Sequence, residues 1–218
     1  MRPLLAVFAH PDDEAFGPAG KIALEAKKRD VYLICVTRGD AGLNSTRSKK
    51  ELSKIRRREL RASAKILGVK KVFFLNYEDG CLCNKVYHDI AEKINKIIKK
   101  TDTNTLLTFE PRGISGHIDH ITVSMICSYI FDKNENIKTL FCSCINPRER
   151  NLAAKDYFIF FPEGYKRNEV DEILDISEVW SKKIGAMNAH RSQKHDFERI
   201  KKILENHPKE ELFLVKKK

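Results

Sequence analysis

The apolar residues of the chain form short continuous runs that alternate with longer stripes of helical spacing. The continuous runs, which are typical of strands buried on both faces, lie at residues 4–8, 31–36, 72–75 and 105–109. The helical stripes lie at residues 19–29, 48–68 and 89–100. Strand, helix and strand repeated in this way connect through right-handed crossovers and build a parallel sheet. The pattern therefore predicts an α/β fold with a Rossmann-like, mostly parallel sheet flanked by helices.

The second half of the chain continues with elements of the same kinds. The predicted elements are a helix after His120, strands at 139–144 and 157–161, a helical region from Ser177 and a short edge strand at 211–215. Turn-forming residues around Pro147 indicate a hairpin or an insertion between the two strands. No repeat or linker divides the chain, so we expect a single domain over residues 1–218.

The composition is that of a soluble globular protein. Of the 218 residues, 42% are hydrophobic and 33% are charged. The apolar runs fall well short of the roughly 20 residues that cross a bilayer, so we expect no membrane span. The sequence starts directly on a strand, without a separate hydrophobic segment before it, which favours a cytoplasmic location.

The formal net charge of +11 has two interpretations. The lysine and arginine side chains can attract an anionic partner, or they can form an ordinary solvated surface. No nucleic-acid-binding motif accompanies the charge, and we therefore expect no nucleic-acid partner. The sequence leaves a homo-oligomer open.

The six cysteines are expected to be reduced, because no signal segment precedes them. Cys35 and Cys127 fall inside apolar runs and are predicted to be core residues. The other four form two C-x-C pairs, which differ from the C-x-x-C spacing of zinc ribbons and receive no assigned role. These pairs are Cys81 with Cys83 and Cys142 with Cys144.

A histidine and three acids follow the first strand directly. His10 and Pro11 precede Asp12, Asp13 and Glu14 at the exit of a buried apolar run. Carboxylates so close together repel one another and lose solvation unless a cation or hydrogen-bond donors compensate. A divalent metal ion is the simplest compensating group.

A second polar cluster follows the fourth strand and contains His117, Asp119 and His120. Because parallel strands end at the same edge of a sheet, the two clusters can meet there although they are far apart in the sequence. Two imidazoles and a carboxylate with an open position are typical of a catalytic zinc-type site, not of a structural one. The sequence therefore predicts a catalytic metal site at the carboxyl edge of the strands.

The two clusters also contain the groups that hydrolysis requires. A divalent ion lowers the pKa of its bound water to about 7, and a neighbouring carboxylate can act as the general base. His117 and His120 lie three residues apart on one side of a helical turn, so both can face the site. One of them can stabilise the oxyanion, and Asp119 can orient an imidazole through its other nitrogen.

Both clusters resemble signatures of the PIG-L/LmbE-like deacetylases. The first signature of that family resembles residues 10–14, His-Pro-Asp-Asp-Glu, and the second resembles residues 116–120, Gly-His-Ile-Asp-His. The likeness covers most of the chain, roughly residues 3–195, because shorter matching segments lie between and after the two signatures. These segments are T-R-G-D-A-G from Thr37, R-x-x-E-L from Arg56, Y-E-D-G from Tyr77 and H-R-S-Q from His190.

The resemblance implies a metal site and a reaction. His10, Asp13 and His120 match the residues that bind one divalent ion in the family, with Zn²⁺ as the first expectation and Fe²⁺ as the alternative. Asp12 matches the general base. Family substrates are N-acetylated amino sugars and related amides, so the resemblance implies a deacetylase that acts on a small molecule.

The resemblance extends to two further site residues. His117 matches the histidine that assists the tetrahedral intermediate and the leaving amine, and Arg56 matches an arginine that contacts the substrate. The proline that is usual in the second signature is Ile118 here, a change that removes no metal ligand.

Three other functions fit parts of the sequence. The first is an amidase for a different small amide, such as a thiol conjugate or an antibiotic intermediate. The second is a non-catalytic, Rossmann-like nucleotide-binding protein. It is disfavoured because H-P-D-D-E stands where a dinucleotide site has G-x-G-x-x-G, and acids repel pyrophosphate. The third is a nucleic-acid-binding protein, which rests on the net charge alone.

Overall fold

A sheet of seven strands forms the centre of the molecule within residues 1–42, 48–156, 160–205 and 207–218, which the computed structural model describes. The strands are β1 (Leu4–Phe8), β2 (Val31–Thr37), β3 (Lys71–Tyr77), β4 (Thr105–Phe109), β5 (Thr139–Cys144), β6 (Glu172–Asp175) and β7 (Glu210–Lys217). Their spatial order is β3-β2-β1-β4-β5-β7-β6. The strands from β3 to β5 are parallel, and β7 is antiparallel to both of its neighbours. The predicted α/β fold with a mostly parallel sheet is confirmed.

Helices flank the sheet. They are α1 (Asp13–Phe16), α2 (Ala19–Glu25), α3 (Lys49–Leu67), α4 (Tyr87–Thr101), α5 (Gly113–Gly116), α6 (Ile118–Lys133), α7 (Pro147–Ala153), α8 (Trp180–Ala189) and α9 (Lys194–Glu205). The long helix α3 begins at a capping box formed by Ser48 and Glu51, and it ends at Gly68, whose φ of 84° few other residues adopt. Across the described ranges, every helix is too short or too polar to cross a membrane.

Strand β1 lies where the strand order reverses. The chain continues from β1 to β2 and β3 on one side and returns to β4 on the other, so that β1 pairs with both β2 and β4. In open α/β sheets a crevice forms at the carboxyl ends of the strands at such a reversal, and ligands bind there. The loops that leave β1 and β4 therefore meet at this crevice, which brings the two polar clusters of the sequence together.

The core supports these loops rigidly. Strands β1 and β4 are buried along their whole length. Helix α4 packs with Ile90, Ile94 and Ile98, spaced four residues apart on its buried face. Burial of each such side chain contributes about 1.5–3 kcal/mol to the free energy of unfolding, so the strands that carry the polar loops are held in a fixed position.

The second half of the chain differs from the predictions in two places. The segment after Asn146, predicted to be a hairpin or an insertion, forms helix α7, because Asn146 and Glu149 make a capping box and Pro147 suits the first helical turn. Strand β7 contains the predicted run 211–215 but lies inside the sheet, between β5 and β6, where Phe213 is buried. The short strand β6, which the pattern did not predict, occupies the edge instead.

Some predicted boundaries also differ. Helix α2 ends at Glu25, and residues 26–29 form a turn in which Arg29 donates to the Glu25 carboxylate. Helix α9 was not predicted. The predicted strand at 157–161 falls mainly on residues 157–159, which lie outside the described residues, and Phe160 and Phe161 are not part of a strand.

All six cysteines are free, as expected from the sequence. Cys35 and Cys127 are buried in the core, as predicted. Cys142 and Cys144 are also buried, and burial raises the pKa of each thiol to about 12. Cys81 and Cys83 are exposed.

A buried ion pair connects β7 to α8, and its carboxylate also accepts a backbone hydrogen bond from the start of α2. Glu211 Oε1 accepts hydrogen bonds from Lys183 Nζ over 2.7 Å and from Gly20 N over 2.8 Å. Replacing Glu211 with alanine leaves the Lys183 ammonium buried without its carboxylate, and such a loss costs about 3–5 kcal/mol. We therefore expect Glu211→Ala to lower the free energy of unfolding by about that amount, measured by chemical denaturation.

The control for this variant is an exposed ion pair. Glu178 contacts Lys27 at the surface, and Glu178→Ala is expected to change the free energy of unfolding little. An equal loss in Glu178→Ala and Glu211→Ala would show that burial of the Glu211 pair is not what stabilises the fold.

Candidate metal centre and active site

Three side-chain donors converge where the loops after β1 and β4 meet. His10 Nδ1 lies 3.1 Å from His120 Nε2 and 3.4 Å from Asp13 Oδ2. His120 Nε2 lies 3.3 Å from Asp13 Oδ1. Burial opposes ionisation of Asp13, but the His120 and His10 rings hold the pKa of its carboxyl well below the usual range. Two imidazole nitrogens and an ionised carboxylate are the donor set of a catalytic zinc-type site, so these residues could hold a divalent ion.

The ring nitrogens that face away from this cluster are also engaged. His10 Nε2 lies 3.0 Å from Asp79 Oδ1 and 3.1 Å from Asp119 Oδ2. His120 Nδ1 lies 3.1 Å from the carbonyl oxygen of Gly113. A proton on each of these outer nitrogens can donate to the oxygen beside it, which leaves the inner nitrogens unprotonated and able to bind a metal.

Asp119 is itself fixed by the backbone. Its carboxylate accepts hydrogen bonds from the N–H groups of Gly80 over 2.8 Å and Leu82 over 3.0 Å. Burial alone would raise the pKa of Asp119, but the hydrogen bonds from His10 and from these two N–H groups lower it. The loop after β3 therefore holds Asp119 ionised and aimed at His10, the orienting contact expected from the sequence.

His117 adds a third imidazole to the site. Its ring nitrogen lies within 4.8 Å of those of His10 and His120, and its ring stacks on His120 at 4.9 Å between centroids. As the N-cap residue of α6, His117 accepts the N–H of Asp119 at Nδ1 over 3.1 Å, so its proton lies on Nε2. Burial and the neighbouring rings lower the pKa of His117, which favours a neutral imidazole.

Asp12 lies beside these donors and lines the same cavity. Its carboxylate accepts a hydrogen bond from Arg56 Nη2 over 2.9 Å. Burial raises the pKa of Asp12 to about 6, although Arg56 acts in the opposite direction. The backbone of Asp12 has a φ of 129°, a conformation that non-glycine residues rarely adopt.

Arg56 and Glu59, which both lie on helix α3, make hydrogen bonds with different parts of the chain. Arg56 is only 3% exposed, and besides Asp12 it donates to the carbonyl oxygens of Pro11 and Gly39. The carboxylate of Glu59 accepts the N–H and the hydroxyl of Ser192. Arg56 lines the cavity, and its Nε has no hydrogen-bond partner among the described residues. Its contact with a substrate stays a prediction.

Two site residues received no role from the sequence. Asp79 contacts His10 and also lies 3.7 Å from Arg56 Nη1. Its place after β3, at the same carboxyl edge as the two clusters, is the signal that could have identified it. The second is His190, whose Nε2 lies 2.8 Å from Glu14 Oε1, a contact between residues far apart in the sequence.

A cavity of about 560 Å³ lies over the candidate metal ligands and Asp12. His10, Asp12, Asp13, His117 and His120 line one part of it, and side chains of α7, α9 and β7 line another. Volumes of about 300–1,000 Å³ are usual for small-molecule sites. The cavity therefore has the size and the polar groups of a site for a small molecule.

The comparison with known sequences covers both clusters. The PIG-L family description, GlcNAc-PI de-N-acetylase, matches residues 5–131. A curated relative, the probable N-acetyl-alpha-D-glucosaminyl L-malate deacetylase 2 of Bacillus cereus, is 28% identical over 198 residues. That alignment covers 88% of this chain and 84% of the relative.

Two solved structures share the fold. The N,N'-diacetylchitobiose deacetylase of Pyrococcus horikoshii has a TM-score of 0.73 at 25% identity, covering 99% of this chain and 84% of that one. The 4-carboxy-2-hydroxymuconate hydratase GalB of Pseudomonas putida also has a TM-score of 0.73, at 19% identity, and the match covers 99% of this chain and 96% of that one. The fold alone thus does not decide the reaction. Because the family description spans more than half of the chain and includes both histidine clusters, the protein belongs to the PIG-L family of GlcNAc-PI de-N-acetylases.

Proposed function

We propose that the protein is a metal-dependent N-deacetylase that removes the acetyl group from an N-acetylated amino sugar conjugate. The observation that carries this proposal is the convergence of His10, Asp13 and His120 beside the carboxylate of Asp12 in one cavity. Curated relatives named as deacetylases of acetamido sugars support the same reaction.

His10 Nδ1, Asp13 and His120 Nε2 are proposed as the metal ligands. Zn²⁺ is the first candidate because imidazole nitrogens with one carboxylate suit it, and Fe²⁺ is the alternative because it takes a similar donor set. When bound, such an ion polarises a carbonyl and lowers the pKa of its water. The His117 nitrogen lies close enough to be a competing ligand, and its hydrogen bond from the Asp119 N–H suits a different role.

The remaining groups can carry out the proton transfers of amide hydrolysis. A water molecule that attacks the amide carbonyl must lose a proton, and Asp12 is the carboxylate beside the ligands that can accept it. His117 carries its proton on Nε2 and can donate a hydrogen bond to the negative charge that develops on the amide oxygen. The proton taken by Asp12 can then pass to the leaving nitrogen, so the products are acetate and a free amine.

The charge of the site offers little attraction for nucleic acid. The four carboxylates of Asp12, Asp13, Asp79 and Asp119 outnumber the single charge of Arg56 and the two charges of a bound divalent ion together. We therefore propose a small N-acetylated molecule as the substrate.

Metal analysis of the purified protein, combined with an assay for free amine, tests this function. We expect one divalent ion per chain and chelator-sensitive release of amine from N-acetylglucosamine conjugates. A chain without bound metal and without chelator-sensitive amidase activity would contradict the proposal. A panel of other N-acyl substrates separates it from an amidase for thiol conjugates or antibiotic intermediates.

Asp119→Asn tests how His10 is held. Asparagine keeps an oxygen for the Leu82 N–H, but its NH₂ group replaces the oxygen that accepts from the Gly80 N–H and lies beside His10 Nε2. Loss of such a supporting contact weakens metal binding by about 10- to 100-fold, which competition with a chelator measures. Asp132→Asn, on the exposed face of the same helix, should leave metal affinity unchanged. Unchanged affinity in Asp119→Asn would assign the support of His10 to Asp79 alone.

A further inference from the structure

Asp12 has a backbone conformation that the structure must hold in place. Its φ of 129° and ψ of −25° lie outside the regions that residues with a side chain normally occupy. Such strain persists only where surrounding contacts over-determine it, and it often occurs at sites where a group must be aimed. Since Asp12 is the proposed general base, the contacts that fix its backbone bear on the reaction.

The backbone of Asp12 is fixed from two sides. Arg56 donates to the carbonyl of Pro11 over 2.8 Å and to the Asp12 carboxylate over 2.9 Å. On the other side, the N–H of Asp12 donates to Glu14 Oε2 over 3.1 Å. Arg56 lines the cavity, whereas Glu14 is fully buried and outside its lining.

Glu14 is held by two further buried side chains. Ser63 Oγ donates to Glu14 Oε1 over 2.5 Å, and His190 Nε2 lies 2.8 Å from the same oxygen. Ser63 is 0% and His190 is 1% exposed. Among the described residues His190 Nδ1 has no hydrogen-bond partner. The imidazole of His190 is therefore held through Nε2 and its contact with Glu14.

We infer that Glu14, Ser63 and His190 form a positioning unit for the general base. Ser63 and His190 fix the Glu14 carboxylate, and Glu14 fixes the N–H of Asp12, so that the Asp12 carboxylate points into the cavity. These three residues do not line the cavity and act through Asp12. The inference rests on the proposed role of Asp12, and it adds residues that are neither proposed ligands nor part of the cavity lining.

Glu14→Ala and Glu14→Gln test this inference with two measurements. Without the Glu14 acceptor, Asp12 is expected to relax, and a misplacement of about 1 Å can reduce the rate about 100-fold. For Glu14→Ala we therefore expect kcat per metal-loaded chain to fall by about 100-fold with little change in KM. In its crystal structure we expect φ of Asp12 to become negative. Glu14→Gln retains an oxygen for the Asp12 N–H and should keep most of kcat and the positive φ.

Ser63→Ala gives a milder variant in case Glu14→Ala does not fold. Ser63→Ala should lower kcat less than Glu14→Ala does, and Ser124→Ala should not lower it. Ser124 is the matched control, because it is also a buried helical serine, and its hydroxyl donates to the Phe109 carbonyl.

Several results would overturn the inference. Two of them concern Glu14→Ala: a wild-type kcat, or a φ of Asp12 that stays positive. The other two are a loss of kcat in Glu14→Gln as large as that in Glu14→Ala, and a loss of kcat in Ser124→Ala as large as that in Ser63→Ala. An equal loss in Glu14→Gln would mean that the charge of Glu14 matters, not the position it imposes. Absence of amidase activity in the wild-type protein would contradict the proposed function, and the φ of Asp12 would still test the positioning unit.

Discussion

Asp12→Asn is expected to lower kcat by about 10²- to 10⁴-fold, the usual contribution of a general base, while the metal content stays that of the wild-type protein. Asparagine has nearly the same shape as aspartate, and its side-chain oxygen can still accept the hydrogen bond from Arg56 Nη2. What it loses is the ability to take a proton. Steady-state kinetics on an N-acetylglucosamine conjugate, together with metal analysis, measures both quantities.

This variant separates proton transfer from metal binding. Asp132→Asn, an exposed change of the same kind, controls for the substitution itself and should be fully active. A kcat of Asp12→Asn within about tenfold of the wild-type value would be less than general-base catalysis normally contributes and would remove Asp12 from that role. Loss of metal in Asp12→Asn would instead make Asp12 a ligand.

His10→Ala and His120→Ala are expected to abolish metal binding and, with it, amidase activity. Each variant removes one of the two imidazole nitrogens that lie 3.1 Å apart at the donor cluster. Loss of a supporting contact alone costs about 10- to 100-fold in metal affinity, and loss of a ligand should cost more. Metal content after dialysis and affinity by chelator competition measure the effect.

His117→Ala and Asp13→Ala decide which residues complete the ligand set. We expect Asp13→Ala to lose metal, because its carboxylate lies 3.3–3.4 Å from both ligand nitrogens. His117→Ala should keep its metal and lose kcat, since its Nε2 proton faces the developing charge in the proposed reaction. The opposite outcome, metal loss in His117→Ala and retention in Asp13→Ala, would place the ion among three imidazoles.

Much of the site could be predicted because it depends on local pattern. The continuous apolar run at Leu4–Phe8 predicts a buried strand, and the polar residues that follow it must lie at the end of that strand. The same argument applies to His117 and His120 after β4. Parallel strands then place both groups at one edge, so their meeting follows from the fold class alone.

Pattern also explains where the predictions went wrong. The run at 211–215 has the periodicity of a strand, but periodicity does not reveal which strands lie beside it. Strand β7 lies between β5 and β6, where its backbone N–H and C=O groups pair with those of an antiparallel neighbour on each side. Asn146, Pro147 and Glu149 also have the spacing of a helix start, and in the structure the Asn146 and Glu149 side chains form the capping box of α7.

The acidic loop after β1 shows most clearly which features follow from the sequence and which depend on the tertiary structure. From the residue types and their order, a metal and a carboxylate base could be expected in this loop, and the resemblance to the deacetylase signatures assigned them to His10, Asp13 and Asp12. The partners of these residues could not be predicted. Asp79 as the acceptor at His10 and Arg56 as the donor to Asp12 depend on how distant elements pack and on the rotamers they allow. Local periodicity determines where each strand ends and therefore which residues lie in the loop after it. Long-range packing determines which atoms of these residues come into contact. For that reason candidate ligands could be named from the chain alone, while the contacts around them required the folded structure.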